Sequence, residues 1–219
     1  MMRMSTVVRY LLLLFCSTTI LISCQKEVNF DTPPGGNPGG GNPGTGTDSS
    51  IVGEYDFLGI TASTYAAVTI TSPVGEVQVV ATSNYVSTNN KGTVSITSNN
   101  FVYNAVGYDI HAPVNIKTYI DSSLISDQDS TYDLITPPTN NTYPYTRISA
   151  DSLTITGNLG VPDPTGVTPT GPVGVKTSWS GDTLILRVKT KFTQNVAQGG
   201  IPGILNGTVD GITKLKKRV

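Results

Sequence analysis

The side chains able to do chemistry in this 219-residue chain are few, and their spacing sorts them quickly. The two cysteines are Cys16, inside an apolar run, and Cys24, directly after that run behind Leu21, Ile22 and the small Ser23. His111 is the single histidine, so a histidine metal cluster is excluded. A Ser-His-Asp arrangement would have to use His111 without a Gly-x-Ser-x-Gly elbow to present the serine. From Ile51 onward the only glutamates are Glu54 and Glu76, and nothing in their spacing marks a carboxylate pair for glycoside hydrolysis. Asp127, Asp129 and Asp133 offer hard oxygen ligands, but without the spacing, glycine and closing glutamate of an EF-hand they read as a polar turn. The chain therefore reads as a non-enzyme with no catalytic residue and no metal site. The remaining candidates are aromatic. Tyr143-Pro144-Tyr145, in an expected loop, and Trp179, the sole tryptophan, can stack on a ligand while their polar ends stay wet.

Three segments must position these groups. Arg3 and Arg9 precede an apolar stretch from Tyr10 to Ile22, the charge and hydropathy pattern of a signal peptide. That stretch is short for a bilayer span, which needs ~20 apolar residues. Leu21-Ile22-Ser23-Cys24 resembles the lipobox of bacterial lipoproteins. The resemblance implies that residues 1–23 are a lipoprotein signal peptide, with Leu21, Ile22 and Ser23 read by the signal peptidase. Cys24 then begins the mature chain, carrying covalent diacylglycerol and an N-acyl lipid in place of any cofactor, and a membrane is the first partner. The competing reading, an ordinary signal peptide with an incidental cysteine, lacks an A-x-A-like site after the run. Gln25-Lys26-Glu27 looks like the export signal of surface lipoproteins in the Bacteroidota, which implies an outer-membrane anchor and display at the cell surface.

Removing Arg3 and Arg9 leaves 14 − 2 = 12 basic against 15 acidic residues, a net charge of −3, which argues against nucleic acid as a partner. With Cys16 removed and Cys24 acylated, no thiol remains for a disulfide. Residues 24–50 are a Gly/Pro-rich linker whose composition predicts disorder.

Residues 51–219 form one domain, long enough for an independent core. They are rich in Val, Ile, Thr and Tyr with Gly, Asn, Asp and Pro between runs, and no long window has helical periodicity. Leu184, Leu186 and Val188 alternate with Ile185, Arg187 and Lys189, and Val114 to Ile120 behaves alike. The expectation is an all-β antiparallel domain of about eight to ten strands, closing as a barrel or folding as a β-sandwich. Hairpin turns are expected at Asn89-Asn90-Lys91-Gly92, Ala150-Asp151 and Ser180-Gly181-Asp182. Loops are expected at Thr136 to Pro144, Gly157 to Gly174 and Gln194 to Pro202, and the basic residues Lys214 to Arg218 read as guards on a terminal edge strand. The opening Ile51-Val52-Gly53-Glu54-Tyr55-Asp56-Phe57 resembles the first strand of lipocalin-like domains in Bacteroidota lipoproteins, with Tyr55 where that group has tryptophan. The resemblance implies an up-and-down barrel able to hold a small apolar ligand. The alternative is a surface sandwich that binds glycan or protein through its loops.

Overall fold

A computed structural model describes residues 50–72, 75–156, 172–198 and 201–218. Cys24, its recognition residues Leu21 to Ser23, the linker and most of the expected Gly157 to Gly174 loop lie outside the described residues. The chain is all-β: β1 (Gly53–Ser72), β2 (Gly75–Val86), β3 (Thr88–Ile96), β4 (Asn100–Ile120), β5 (Ser123–Arg147), β6 (Ser152–Thr156), β7 (Pro172–Ser180), β8 (Thr183–Gln198) and β9 (Ile201–Lys217). All nine belong to one antiparallel sheet. Each pairs with its neighbours in the chain or one removed, and β9 pairs back onto β1 from Tyr55↔Lys217 to Ile70↔Gly203, so the sheet closes into a ring. Closure satisfies the edge groups that an open sheet leaves bare. It also corrects the expectation for the basic C-terminus: β9 lies between β8 and β1, and Lys214 and Lys216 point outward from a strand paired on both sides.

The strands differ greatly in length, and that difference shapes the molecule. β6 and β7 span 5 and 9 residues, whereas β4 and β5 span 21 and 25. At the start of β1 and the end of β9 every strand but β2 takes part, β3 standing in line with it, and the ring is complete. Its interior there is filled by Tyr55, Val94, Phe101, Leu153, Ile155, Leu184, Leu186 and Leu215, each under 2 % exposed. Full burial of one such aliphatic or Phe side chain contributes ~1.5–3 kcal/mol, enough in sum to hold the ring without a disulfide. Beyond it, β5 from Ser123 to Pro144 has only β4 as partner among the described residues, and β8 from Lys189 onward has only β9. The ring therefore continues as an open six-stranded sheet in the order β8, β9, β1, β2, β4, β5.

A pair of facing bulges marks the change. β2 and β3 run in line, both antiparallel to β1 and to β4, so Asn89-Asn90-Lys91-Gly92 is a bulge in one long strand and no hairpin turn. Asn89 and Gly92 take the positive φ values of 50° and 94°. Asn and Gly are the residues that tolerate this backbone, whether it serves a turn or a bulge. Ser87 and Asn90 lock the kink: the Ile60 N–H donates to Ser87 Oγ (2.7 Å), Ser87 Oγ donates to Asn90 Oδ1 (2.7 Å), and Asn90 Nδ2 donates to the Leu58 carbonyl (2.8 Å). Across the sheet Ala105 forms the opposing bulge at φ 49°, its N–H satisfied by Asn140 Oδ1 at 2.7 Å. A Cβ on Gly92 would lie 2.4 Å from the Ala105 carbonyl oxygen, so only glycine lets the two bulges nest.

Three further expectations are corrected. Thr136 to Pro144 belongs to β5, and of the expected loop Gln194 to Pro202, Gln194 to Gln198 ends β8 and Ile201-Pro202 opens β9, the residues between lying outside those described. Asp127, Asp129 and Asp133 also stand on β5, in a strand and not a turn. The turns at Ala150-Asp151 and at Gly181-Asp182 are present, between β5 and β6 and between β7 and β8.

Candidate functional site

The inner face of the open sheet is the candidate site. Residues directly opposite in a ladder share a face, so register alone assembles it. The outermost row reads Val196, Gly203, Ile70, Val77, Ile120 across β8, β9, β1, β2 and β4. The next reads Gln194, Leu205, Val68, Val79, Thr118, and the third Phe192, Gly207, Ala66, Ala81, Ile116. Below them runs a belt of Thr190, Val209, Thr64, Ser83 and Val114. No charged residue stands in these four rows. Val68, Ile70, Val77, Val79, Ile116, Ile120, Phe192 and Val196 are only half-buried. β-Branched aliphatics suit a pleated surface, but here they line a trough that no strand faces among the described residues, since β6 and β7 end below it. The outer face of the same strands mixes Lys117, Lys191, Asn115 and Asn206 with Tyr65, Ala67, Val80 and Ile204, so polar and charged groups interrupt its apolar ones. The Phe192 ring lies over Gly207, whose added Cβ would meet the ring at 2.0 Å. The small row of Gly207, Ala66 and Ala81 is thus roofed at one end by an aromatic side chain that is itself half-exposed.

Tyrosines continue the inner wall toward the filled base. Tyr103 and Tyr143 meet edge to face at 5.3 Å between ring centres, and Phe57 packs on Tyr108 at 5.9 Å. Burial raises the phenol pKa of Tyr103 well above its usual range, with neighbouring Tyr143 and Tyr108 adding to the effect. Tyr108 and Tyr143 are raised for the same first cause. These phenols are neutral at any physiological pH. Among the described residues two buried hydroxyls on the inner face lack a hydrogen-bond partner, Thr64 Oγ1 and the Tyr103 phenol.

The aromatic residues singled out by the sequence are placed elsewhere. Tyr143 and Tyr145 stand two apart on β5, so the pleat turns both inward and Pro144 outward. The expected exposed platform is therefore a pair of packed rings. Tyr145 is buried against Phe101 at 4.9 Å, and its hydroxyl donates to the Thr97 carbonyl at 2.8 Å. Trp179 is half-buried at the far end of the ring, 6.3 Å from Tyr55, with the Lys217 ammonium 5.8 Å from its ring centre. The three residues do not gather in one place and none stands in the trough.

The charged candidates are dispersed over the outer surface. His111 contacts Asp133, and both are well exposed. Asp127 and Asp129 accept from the same Asn115 amide, and Lys117 approaches Asp127 at 3.3 Å. Those hydrogen bonds, the Asn115 one foremost, hold the Asp127 carboxyl below its ordinary pKa. Glu54 hydrogen-bonds Ser95 at the closed end, whereas Glu76 lies opposite Thr71 near the β1–β2 tip. At ~3.3 Å per residue the two levels are roughly 50 Å apart along β1. Among the described residues no group of three His, Cys, Asp or Glu could hold a metal. One outer-face depression of about 500 Å³ is floored by Thr61, Ser63, Asn84, Val86 and Ile212 and walled by His111 and by the Arg187–Asp210 pair, bonded at 2.8 and 3.1 Å.

No family model, curated protein or solved structure matches the chain. The class is defined by the fold alone: a single nine-stranded antiparallel sheet closed into a ring, with an uncharged apolar trough above a filled base.

Proposed function

We propose that the protein is a cell-envelope lipoprotein, anchored through acylated Cys24, whose β domain binds a small apolar ligand on the inner face of its open sheet. The observation that carries the binding reading is the contrast in charge across one sheet: the inner rows hold no charged residue, whereas the outer rows set Lys117, Lys191 and Asp127 among their apolar and polar side chains. Ligand sites are concave and mostly apolar with a few polar groups to fix orientation, and the trough has that composition. The Gly/Pro-rich stretch after Cys24 supports display away from the bilayer, because a Gly-rich chain of about 26 residues reaches roughly 25–30 Å. The domain works without catalysis in this reading.

The test is titration with diphenylhexatriene, a hydrocarbon that fluoresces when it leaves water. Wild type takes it up. Val79→Asn, on the inner face of β2, abolishes uptake, whereas Val80→Asn, one residue on and facing out, leaves it unchanged. Equal behaviour of the two variants refutes an inner-face site. A second reading, a saccharide bound on the outer face, is favoured by one observation: the 500 Å³ depression, whose walls carry hydrogen-bonding groups, His111 beside Asp133 and the Arg187–Asp210 ion pair, suited to an uncharged polyol.

A further inference from the structure

We infer that the ligand of the trough is not a pure hydrocarbon but an amphiphile with an uncharged hydrogen-bonding head, such as a hydroxyl or carbonyl, and that Thr64 holds that head. This rests on the apolar-site reading above and adds the chemical class of the ligand.

Thr64 is 3 % exposed, on the inner face of β1, and its Oγ1 has no hydrogen-bond partner among the described residues. Its cross-strand neighbours are Val209 and Ser83. Val209 has no polar side-chain atom. Ser83 Oγ already donates its one proton to the Pro113 carbonyl at 2.7 Å, so it has none to give Thr64. A valine would fill the same space at no hydrogen-bonding cost. A buried donor and acceptor left bare is an expense that native structures rarely carry unless something else completes it.

Position supplies the rest. Directly above Thr64 lies Ala66, between Gly207 and Ala81, the row with the least side-chain bulk on the inner face. Beyond it Val68 and Ile70 lead along β1 to the tip, ~20 Å from Thr64 at ~3.3 Å per residue. A head group seated over the small row meets the Thr64 hydroxyl, and a tail running toward Ile70 covers the half-buried aliphatics. Phe192, folded over Gly207, is the side chain that must swing aside to admit the head. Charge is excluded by the same residues: with no Lys, Arg, Asp or Glu in these rows, a carboxylate or ammonium head would be buried without a counter-ion.

The experiment uses the folded wild-type domain with its linker, Thr64→Val and Thr64→Ser, each titrated with parinaryl alcohol and with diphenylhexatriene. Thr64→Val should weaken the alcohol about tenfold, leave diphenylhexatriene unchanged and raise the melting temperature of the empty protein. Thr64→Ser, which keeps the hydroxyl, should bind the alcohol as wild type does. Unchanged alcohol affinity in Thr64→Val beside normal diphenylhexatriene uptake overturns this inference and leaves the apolar site standing. Wild type that takes up neither probe overturns the apolar site itself, and this inference with it.

Discussion

Replacing Tyr103 by Phe should make the protein more stable, against the usual effect of trimming a buried tyrosine. Tyr103 is 6 % exposed and its hydroxyl has no partner, so the side chain carries the desolvation cost of a polar group without the bond that normally offsets it. Leaving such a group unsatisfied costs ~1–3 kcal/mol. The phenyl ring keeps the edge contact with Tyr143, so little packing is lost. The expected gain is about 1–2 kcal/mol, or roughly 3–6 °C in Tm for a domain of this size. Tyr55→Phe is the control of opposite sign. Its hydroxyl donates to the buried Ile51 carbonyl at 2.6 Å, and removing it strands that acceptor, a loss of about 1–2 kcal/mol. Urea unfolding monitored by tryptophan fluorescence from Trp179 reads both variants, with m values checked for constancy. Tyr103→Phe destabilising as much as Tyr55→Phe would refute the assignment of a bare hydroxyl.

Other outcomes follow from the same geometry. Gly92→Ala should cost several kcal/mol or prevent folding, because its Cβ meets the Ala105 backbone and the residue also sits at positive φ; unfolding midpoints within ~0.5 kcal/mol of wild type would exclude nested bulges. Ser87→Ala strips the buried Ile60 N–H of its acceptor and unlinks Asn90, a loss of ~2–3 kcal/mol read by thermal melting. Alkaline pH should also unfold the protein. Burial pushes the Tyr55 phenol from 10.0 to about 12, so the unfolded chain releases its proton first. The stability is complete below pH 10 and drains away as pH rises toward 12, and Tyr55→Phe should flatten that decline. Cys24→Ala should shift the protein from membrane to soluble fractions, and unchanged membrane retention would count against the lipid anchor.

The all-β class was legible because strand alternation is local. Leu184, Leu186 and Val188 announce their inward face, and Gly181-Asp182 announces its turn, within a few residues. The bulge at Asn89 to Gly92 was read as a hairpin because residues that accept positive φ serve both purposes, and only pairing with β1 and β4 separates them. Pro137, Pro138 and Pro144 made the end of β5 look like a loop. Proline lacks a ladder donor, and β5 tolerates it because one side of that stretch has no partner strand among the described residues. The trough was not legible at all. Val68, Val79, Ile116 and Val196 come from four separate runs, each ordinary for a strand, and only the cross-strand register puts them on one surface. Tyr103 and Tyr143 looked scattered for the same reason, 40 residues apart in sequence but brought into contact by the β4–β5 ladder.

The most direct test of a ligand-carrying inner face is to purify the full-length protein from the cells that make it, extract it with organic solvent and analyse the extract by mass spectrometry. A compound present near one per protein in wild type and in Val80→Asn, but missing from Val79→Asn, is the predicted result. Extracts of wild type that contain only bulk membrane lipid would contradict it.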